Sequence, residues 1–277
     1  MKVILSRKGF DSSYGGYPSF ILPNGEMISL PIPSSEDNIL YSELNTKNNN
    51  FKVIDIMKNI KSSIKNKDKK ILDDNTSCHL DPDLSYNSYK RLDGWKGCFG
   101  QIGAAQKVLE NNNVKEGDLF LFFGWFNDLE LSNNSYKFKK GNDRHVIFGY
   151  MQIDKIIYPK KDKLPEWLKY HPHASSIRRL SKDSNCIYIA KDICSFDNNI
   201  KGYGIFKYSK ELDLTKEGMS RTNWDLPDIF KNVKITYHTK DSWKNNCFKS
   251  ACRGQEFVIE ENKDIEEWAI NLIKRNI

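Results

Sequence analysis

The chain has 277 residues, of which 39% are hydrophobic and 12% aromatic, with a formal net charge of +7. This length and apolar content predict a globular protein with a full hydrophobic core. The modest positive charge permits a nucleic-acid surface but does not require one. No run of 18 apolar residues occurs and the N-terminus lacks a signal-peptide pattern, so we expect a cytoplasmic protein with no membrane span.

Cysteine and histidine spacing argues against a structural metal. The six cysteines form no Cys-x-x-Cys pair and no regular framework, so we predict free buried thiols. The five histidines never pair with cysteine at zinc-ligand spacing, so we predict no structural zinc and assign no metal ligand. His171 and His173 could bind a metal, but the sequence indicates no third ligand.

A polar loop follows the first predicted strand, residues 2–5. Residues 6–16 contain Arg7, Lys8 and Asp11 together with three glycines. Glycine lets backbone N–H groups approach an anion, and the two cations can neutralise it. We predict that Arg7 and Lys8 bind phosphate while Asp11 is a catalytic base or an electrostatic partner. An ordinary glycine-rich surface loop is the alternative.

Two local elements come next along the chain. Residues 18–33 predict a hairpin with its turn at 23–26, where Pro-Asn-Gly-Glu is a strong turn sequence. Val53, Met57, Ile60 and Ile64 recur at helical spacing, which predicts an amphipathic helix. The lysine-rich tail of this helix, which continues to Lys70, is expected to be a solvated face.

The second polar cluster, residues 78–84, contains His79 and Asp81 beside Pro82. A histidine and a carboxylate next to a proline, which restricts the backbone, can supply a general base or bind an ion. We therefore predict His79 and Asp81 as catalytic residues. A simple Asp-Pro turn is an equally good interpretation.

The central part of the chain predicts the core of the fold. Residues 119–126 are almost continuously apolar and residues 145–153 nearly so, which is typical of strands buried on both faces. We predict that residues 117–126 and 145–154 are adjacent core strands joined by a polar loop. A helix over residues 101–110 precedes them, and its glycine-rich start would favour an anion.

The remaining elements are strands at residues 185–190, 200–208 and 253–259 and a closing helix at 264–274. Trp224 follows Arg221 in a third polar cluster, where it could stack on a base or pack beneath the adjacent proline turn. Together with residues at other predicted strand ends, these two complete a proposed nucleotide-binding set. Its members are Arg7, Lys8, Gln101, Trp125, Arg221, Trp224, Arg253 and Gln255.

No linker or internal repeat divides the sequence, so we expect a single α+β domain over residues 1–277. Its core should be largely antiparallel and strand-rich, with helices at the periphery. The Gly117-Asp118 strand followed by Phe148-Gly149 also resembles the barrel of PUA-like domains, which bind modified bases.

Five segments of the chain form a pattern that is more specific than any single motif. They are Leu5-Ser6-Arg7-Lys8-Gly9-Phe10-Asp11-Ser12, Leu30-Pro31-Ile32-Pro33, Gly100-Gln101-x-Gly103-Ala104, Gly117-Asp118-Leu119-Phe120-Leu121-Phe122-Phe123-Gly124-Trp125-Phe126 and Arg253-Gly254-Gln255-Glu256-Phe257. Together they resemble the nucleotide modification associated domain 3 family, bacterial and phage proteins grouped by predicted association with DNA base-modification systems. The resemblance covers nearly the whole chain and implies a link to DNA modification or phage–host conflict, with a nucleotide or DNA as partner. It implies no particular reaction or cofactor.

Two functions follow as hypotheses. The first is an enzyme that acts on a nucleobase or nucleotide, in DNA, by group transfer to the base or by N-glycosidic chemistry. The alternative is a non-catalytic reader that binds a modified base or nucleotide. A reader needs an aromatic cage and edge donors, whereas an enzyme also needs a perturbed carboxylate or histidine. The three polar clusters described above, around Asp11, Asp81 and Trp224, all contain acidic residues, which favours the enzyme. A structural or partner-binding subunit is a third interpretation.

Overall fold

The computed structural model describes residues 1–46, 52–60, 72–133, 135–244 and 246–277. Ile64 and the lysine-rich segment that ends at Lys70 lie outside the described residues. The α-helices are α1 (Val53–Ile60), α2 (Gly103–Asn111), α3 (Pro172–Ser175), α4 (Ile177–Leu180) and α5 (Lys263–Asn276). The strands are β1 (Val3–Arg7), β2 (Ser19–Ile21), β3 (Met27–Ile28), β4 (Ile32–Pro33), β5 (Ile39–Leu40), β6 (Ser77–His79), β7 (Cys98–Gln101), β8 (Leu119–Ser132), β9 (Ser135–Phe138), β10 (Arg144–Ile157), β11 (Cys186–Ala190), β12 (Tyr203–Ile205), β13 (Asn223–Trp224), β14 (Trp243–Lys244), β15 (Cys247–Lys249) and β16 (Glu256–Val258).

The protein is α+β, with a mixed sheet curled into a half-barrel and few helices, as the sequence predicted. The main path through this sheet is β16-β1-β8-β10-β11-β7. Strand β1 is parallel to β8, whereas the other neighbours along this path are antiparallel. Two small three-stranded sheets, β13-β15-β14 and β4-β6-β5, flank it.

The predicted central pair of strands is confirmed. Strands β8 and β10 are antiparallel neighbours, with Phe123 opposite Ile147 and Leu121 opposite Tyr150. Their apolar runs are buried because side chains on both faces of this curled sheet pack into the core. Both strands are longer than predicted, and the expected loop between them includes β9, which pairs with β8.

The two ends of the main sheet approach each other through side chains. Gln101 Nε2, at the end of β7, donates to Oε1 of Glu256 at 2.6 Å and to Oε1 of Gln255 at 3.2 Å. Gln101 belongs to β7, where it is paired with Cys186, and α2 begins only at Gly103. The prediction that the helix starts at Gln101 is therefore wrong, because the strand ladder continues through this residue.

Other local predictions are confirmed. Strands β2 and β3 form the predicted hairpin, and α5 is the predicted closing helix. The six cysteines are free and five of them are buried, as predicted, but the prediction is wrong for Cys252, which is exposed. Among the described residues, no helix is both long enough and apolar enough to cross a membrane.

Candidate functional site

Three histidines surround one buried carboxylate, and we call this group the histidine–aspartate cluster: His79, Asp81, His171 and His173. The Oδ2 atom of Asp81 lies 3.8 Å from Nε2 of His79 and 3.9 Å from Nε2 of His173. Its Oδ1 atom lies 3.3 Å from Nε2 of His171. The side chains of Asp81 and His173 are only 5% and 3% exposed, whereas His79 is 15% exposed. The cluster therefore has one accessible side, at His79.

Local backbone features bring these side chains together. The N–H of Gly100 in β7 donates to Oδ1 of Asp81 at 2.8 Å. A side chain at Gly100 would meet the His173 ring, since an added Cβ would lie 2.2 Å from its Cδ2 atom. His171 precedes Pro172, the first residue of α3, and its ring accepts the N–H of His173 as an N-terminal cap.

A second layer of polar residues orients two of the histidines. Nδ1 of His79 lies 2.9 Å from Oδ2 of Asp37, and that carboxylate is also paired with Arg179. Nδ1 of His173 lies 2.7 Å from Oδ1 of Asn185. Each ring is therefore held by a partner behind it, with its Nε2 atom turned towards Asp81.

The electrostatics of the cluster favour an ionised carboxylate beside a neutral histidine. Burial lowers the pKa of His173 to about 3. Burial opposes ionisation of Asp81, but its histidine neighbours outweigh burial and the pKa of this carboxyl is lowered. The same competition lowers the pKa of Asp37 well below its usual range, through hydrogen bonds from His79 and Arg179.

A second group of predicted residues meets elsewhere, and we call it the arginine patch: Arg7, Asp11, Trp125, Asp143 and Arg221. The guanidinium carbon of Arg221 lies 3.9 Å from the centroid of the Trp125 ring. The indole N–H of Trp125 donates to Asp143 at 2.6 Å. Burial lowers the pKa of Arg7 and of Arg221, whereas the negative charge of Asp11 acts in the opposite direction on both pKa values. Asp11 also accepts the N–H groups of residues 13 and 14, so it orders its own loop.

Arg7 has a structural role within this patch. Its guanidinium donates to the carbonyl groups of Ala251 and Cys252, at 2.6 and 3.0 Å. Its backbone N–H donates to the carbonyl of Gln255. Arg7 thus anchors the segment before β16, and this segment carries the exposed Arg253.

Trp224 does not offer the stacking face expected of an exposed ring. Its side chain is fully buried, because the ring packs edge-to-face on Phe123 and near Phe248; of the two roles that the sequence left open, the ring takes the packed one. Its indole N–H donates to Nδ1 of His145 at 3.0 Å. Trp224 is therefore part of the core beneath the arginine patch.

Lys8 and Gln101 lie apart from Arg7, although all three belong to the nucleotide-binding set predicted from the sequence. Arg7 stacks on Phe123 and Phe257, whereas Nζ of Lys8 lies 4.2 Å from the centroid of Phe99. Neighbouring residues of a strand point to opposite faces, which separates these two cations. Lys8 and Gln101 both bind the buried Oε1 of Glu256, so they form a third polar group.

A cleft of about 970 Å³ borders the histidine–aspartate cluster. Its lining includes Asp81 and the aromatic residues Tyr86, Phe148, Tyr150 and Tyr203. This volume falls in the range of small-molecule sites, which bind ligands between apolar walls and a few fixed polar groups. The cleft could therefore hold a nucleotide-sized ligand next to the cluster.

The sequence suggested two parts of this cluster separately but missed their convergence. His79 and Asp81 are predicted as catalytic residues, whereas His171 and His173 are predicted only as possible metal ligands for which the sequence indicates no third partner. The supporting residues Asp37, Arg179 and Asn185 were not recognised. One signal was available: His-x-Asp at 79–81 and His-x-His at 171–173 both place polar side chains two residues apart.

The protein is therefore an α+β protein with a half-barrel sheet, in which the histidine–aspartate cluster and the arginine patch are separate. The chain belongs to the nucleotide modification associated domain 3 family, whose model matches residues 2–260. Neither the curated proteins nor the solved structures compared with this chain include a match. The resemblance to PUA-like barrels therefore stays a prediction.

Proposed function

We propose that this protein is an enzyme acting on a nucleobase or nucleotide, in DNA, by base group transfer or N-glycosidic chemistry. Membership of the nucleotide modification family supports the substrate class. The observation that carries the catalytic part is the buried Asp81 carboxylate facing three histidine rings. Perturbed groups of this kind beside a cleft are typical of active sites.

Asp81 and His79 are the proposed catalytic pair. Asp81 is kept ionised, so it can act as a base or stabilise a developing positive charge. His79 lies on the accessible side of the cluster, where its side chain is 15% exposed, and it is proposed to meet the ligand from that side. The N–H of Gly100 positions the carboxylate, and His171 and His173, which lie beside it, are proposed as supporting residues.

The arginine patch is proposed to bind the nucleotide or the DNA backbone. Arg221 and Arg7 supply positive charge, and Trp125 supplies an aromatic surface, on which Arg221 now stacks. Guanidinium groups suit phosphate because they can donate two parallel hydrogen bonds. Asp11 is proposed as the electrostatic partner of these arginines, and Lys8, Gln101 and Gln255 as supports for the neighbouring sheet edge.

A reader function has support of its own. The patch combines a cation with an aromatic ring, which suffices to hold a base or a nucleotide. A reader has no need for a buried carboxylate surrounded by three histidines, since burying such a charge costs binding or folding energy. The histidine–aspartate cluster therefore favours the enzyme.

The test is mass spectrometry of nucleosides from DNA and nucleotide pools incubated with the purified protein. We expect the wild-type protein to change the mass or abundance of at least one nucleoside, and Asp81→Asn to abolish the change. Asp228→Asn, at an exposed ion pair with Lys231, is the matched control and should stay active.

Two outcomes would contradict this proposal. Binding of a modified nucleotide with no chemical change by wild-type protein would establish the reader instead. A chemical change that persists in Asp81→Asn would place the chemistry elsewhere. Bacterial or phage origin and a role in phage–host conflict are further parts of this proposal, supported by the family resemblance alone.

A further inference from the structure

We infer that the histidine–aspartate cluster binds one divalent transition-metal ion through Nε2 of His79, Oδ2 of Asp81 and Nε2 of His173. One ligand atom from each of these residues lies within 4.8 Å of the others. Metal–ligand bonds of about 2.0–2.2 Å require ligand atoms roughly 3–4 Å apart. The observed separations of 3.8 and 3.9 Å from the carboxylate to the two rings meet this requirement.

The hydrogen-bond partner of His79 determines which of its nitrogens can bind a metal. The Asp37 carboxylate is paired with the guanidinium of Arg179 and can only accept hydrogen bonds from its neighbours, so Nδ1 of His79 carries the proton in their 2.9 Å contact. In the neutral ring, Nε2 then carries a lone pair. A carboxylate behind a metal-binding histidine is a recurrent arrangement that fixes the tautomer and raises the ligand's basicity.

His173 is held in the same state by Asn185. The amide N–H of Asn185 donates to the carbonyl oxygen of His173, at 2.8 Å, which fixes the orientation of the amide group. The amide oxygen of Asn185 therefore accepts from Nδ1 of His173, at 2.7 Å. The Nε2 atom of His173 is left with its lone pair directed at Asp81.

The two oxygens of Asp81 have different surroundings. Oδ1 accepts the N–H of Gly100 and lies beside Nε2 of His171. Nδ1 of His171 accepts the N–H of His173, so its proton is on Nε2 and this ring is not a ligand. Nε2 of His171 is buried and has no hydrogen-bond partner, although it lies 3.3 Å from Oδ1 of Asp81.

Oδ2 of Asp81 therefore faces two nitrogen lone pairs at distances beyond a hydrogen bond. Three electron-rich atoms in a site with little exposure repel one another unless a positive charge lies between them. A metal ion at this point would convert the repulsion into three coordinate bonds. This convergence is what distinguishes the cluster from an ordinary buried ion pair.

The donor set indicates the class of metal. Two imidazole nitrogens and one carboxylate oxygen suit zinc or ferrous iron, and leave positions free for water or a substrate. The exposed side of His79 gives those positions access to solvent. Metal binding does not depend on the proposed function; only its role as a Lewis acid towards a nucleotide does.

The experiment is metal titration of chelator-treated, full-length protein with zinc, ferrous iron and cobalt. We expect one equivalent to bind, with cobalt giving the visible absorption of a low-coordinate nitrogen–oxygen site. His79→Gln and His173→Gln should each weaken binding at least 100-fold. His238→Gln is the matched control, because both of its ring nitrogens are occupied by Thr236 and Ala251, and it should bind as the wild type does.

A milder variant guards against loss of the fold. Asp37→Asn keeps an acceptor behind His79, and we expect about 10–100-fold weaker binding with the cobalt spectrum retained. Failure of the wild-type protein to bind one equivalent would overturn the inference, as would unchanged binding in His79→Gln and His173→Gln. These measurements use no nucleotide, so their outcome is separate from that of the nucleoside experiment.

Discussion

Two buried histidines show why burial alone does not make a reactive site. His173 in the histidine–aspartate cluster and His145 beneath the arginine patch both have a pKa lowered mainly by burial. Nε2 of His173 faces a carboxylate oxygen at 3.9 Å, whereas Nδ1 of His145 accepts the indole N–H of Trp224. One ring therefore presents a lone pair to another electron-rich atom, and the other ring has a matched donor.

The surroundings of the two regions differ in the same way. In the cluster, Asp37 and Asn185 hold two of the rings from behind, so their orientation is fixed before any ligand arrives. In the arginine patch, Arg221 stacks on Trp125 and donates to Ser12, contacts that a ligand could replace. A preorganised site suits chemistry, and an adaptable cationic surface suits binding.

The largest expected effect tests the difference between the buried core beneath the arginine patch and the patch itself, and it concerns Trp224. Trp224→Ala should lower the free energy of unfolding by about 3–5 kcal/mol, because it removes a fully buried aromatic ring. Urea denaturation measures this loss. Trp125→Ala should change stability much less, since its ring is only partly buried. Weaker nucleotide binding by Trp224→Ala at unchanged stability would show instead that this ring meets the ligand.

Arg221 tests the proposed binding role of the patch. Arg221→Ala should weaken binding of a nucleotide or single-stranded DNA by about 1.5–3 kcal/mol, the range for a charged hydrogen bond, and lower its salt dependence. Fluorescence anisotropy at two salt concentrations measures both. Arg7 is a poorer choice, because it also anchors the Ala251 and Cys252 carbonyls.

The matched control for Arg221 is Arg275→Ala, at an exposed ion pair with Glu211. Both variants lose one positive charge, but only the first loses it from the patch. Equal weakening in the two variants would indicate that net charge, and not the patch, determines binding.

A smaller effect concerns the pH dependence of stability. The folded-state pKa of His145 is lowered by burial and by the nearby Arg7 and Arg221, so below about pH 6.5 the unfolded chain binds a proton that the folded protein does not. The contribution of neutral His145 to the free energy of unfolding is therefore fully present above that pH. It is lost as the pH falls, by up to about 1.4 kcal/mol per pH unit.

Denaturation curves between pH 7 and pH 5 measure this slope. In His145→Asn, the side-chain oxygen can still accept the Trp224 N–H but does not titrate, so we expect a shallower slope than in the wild type. An identical slope in both proteins would show that His145 is already protonated in the folded state.

The sequence by itself determined the elements whose signal is local. Residues 117–126 and 145–154 were predicted as paired core strands because an unbroken apolar run must be buried on both faces. The closing helix and the hairpin near Pro23 followed in the same way from periodicity and turn residues. The family was indicated separately, by the resemblance of several segments along the chain. These signals need no knowledge of distant contacts.

Only the tertiary structure decided which polar residues share a site. Arg7 and Lys8 are neighbours in sequence, but the alternation of a strand sends them to opposite faces of the sheet. Asp81 and His173 are 92 positions apart, yet Gly100 lets the His173 ring approach closely while binding Asp81. Hydrogen-bond partners such as Asp37 and Asn185 then fix the tautomers. Chemistry here depends on distances between atoms, which residue spacing does not specify when the chain folds back on itself.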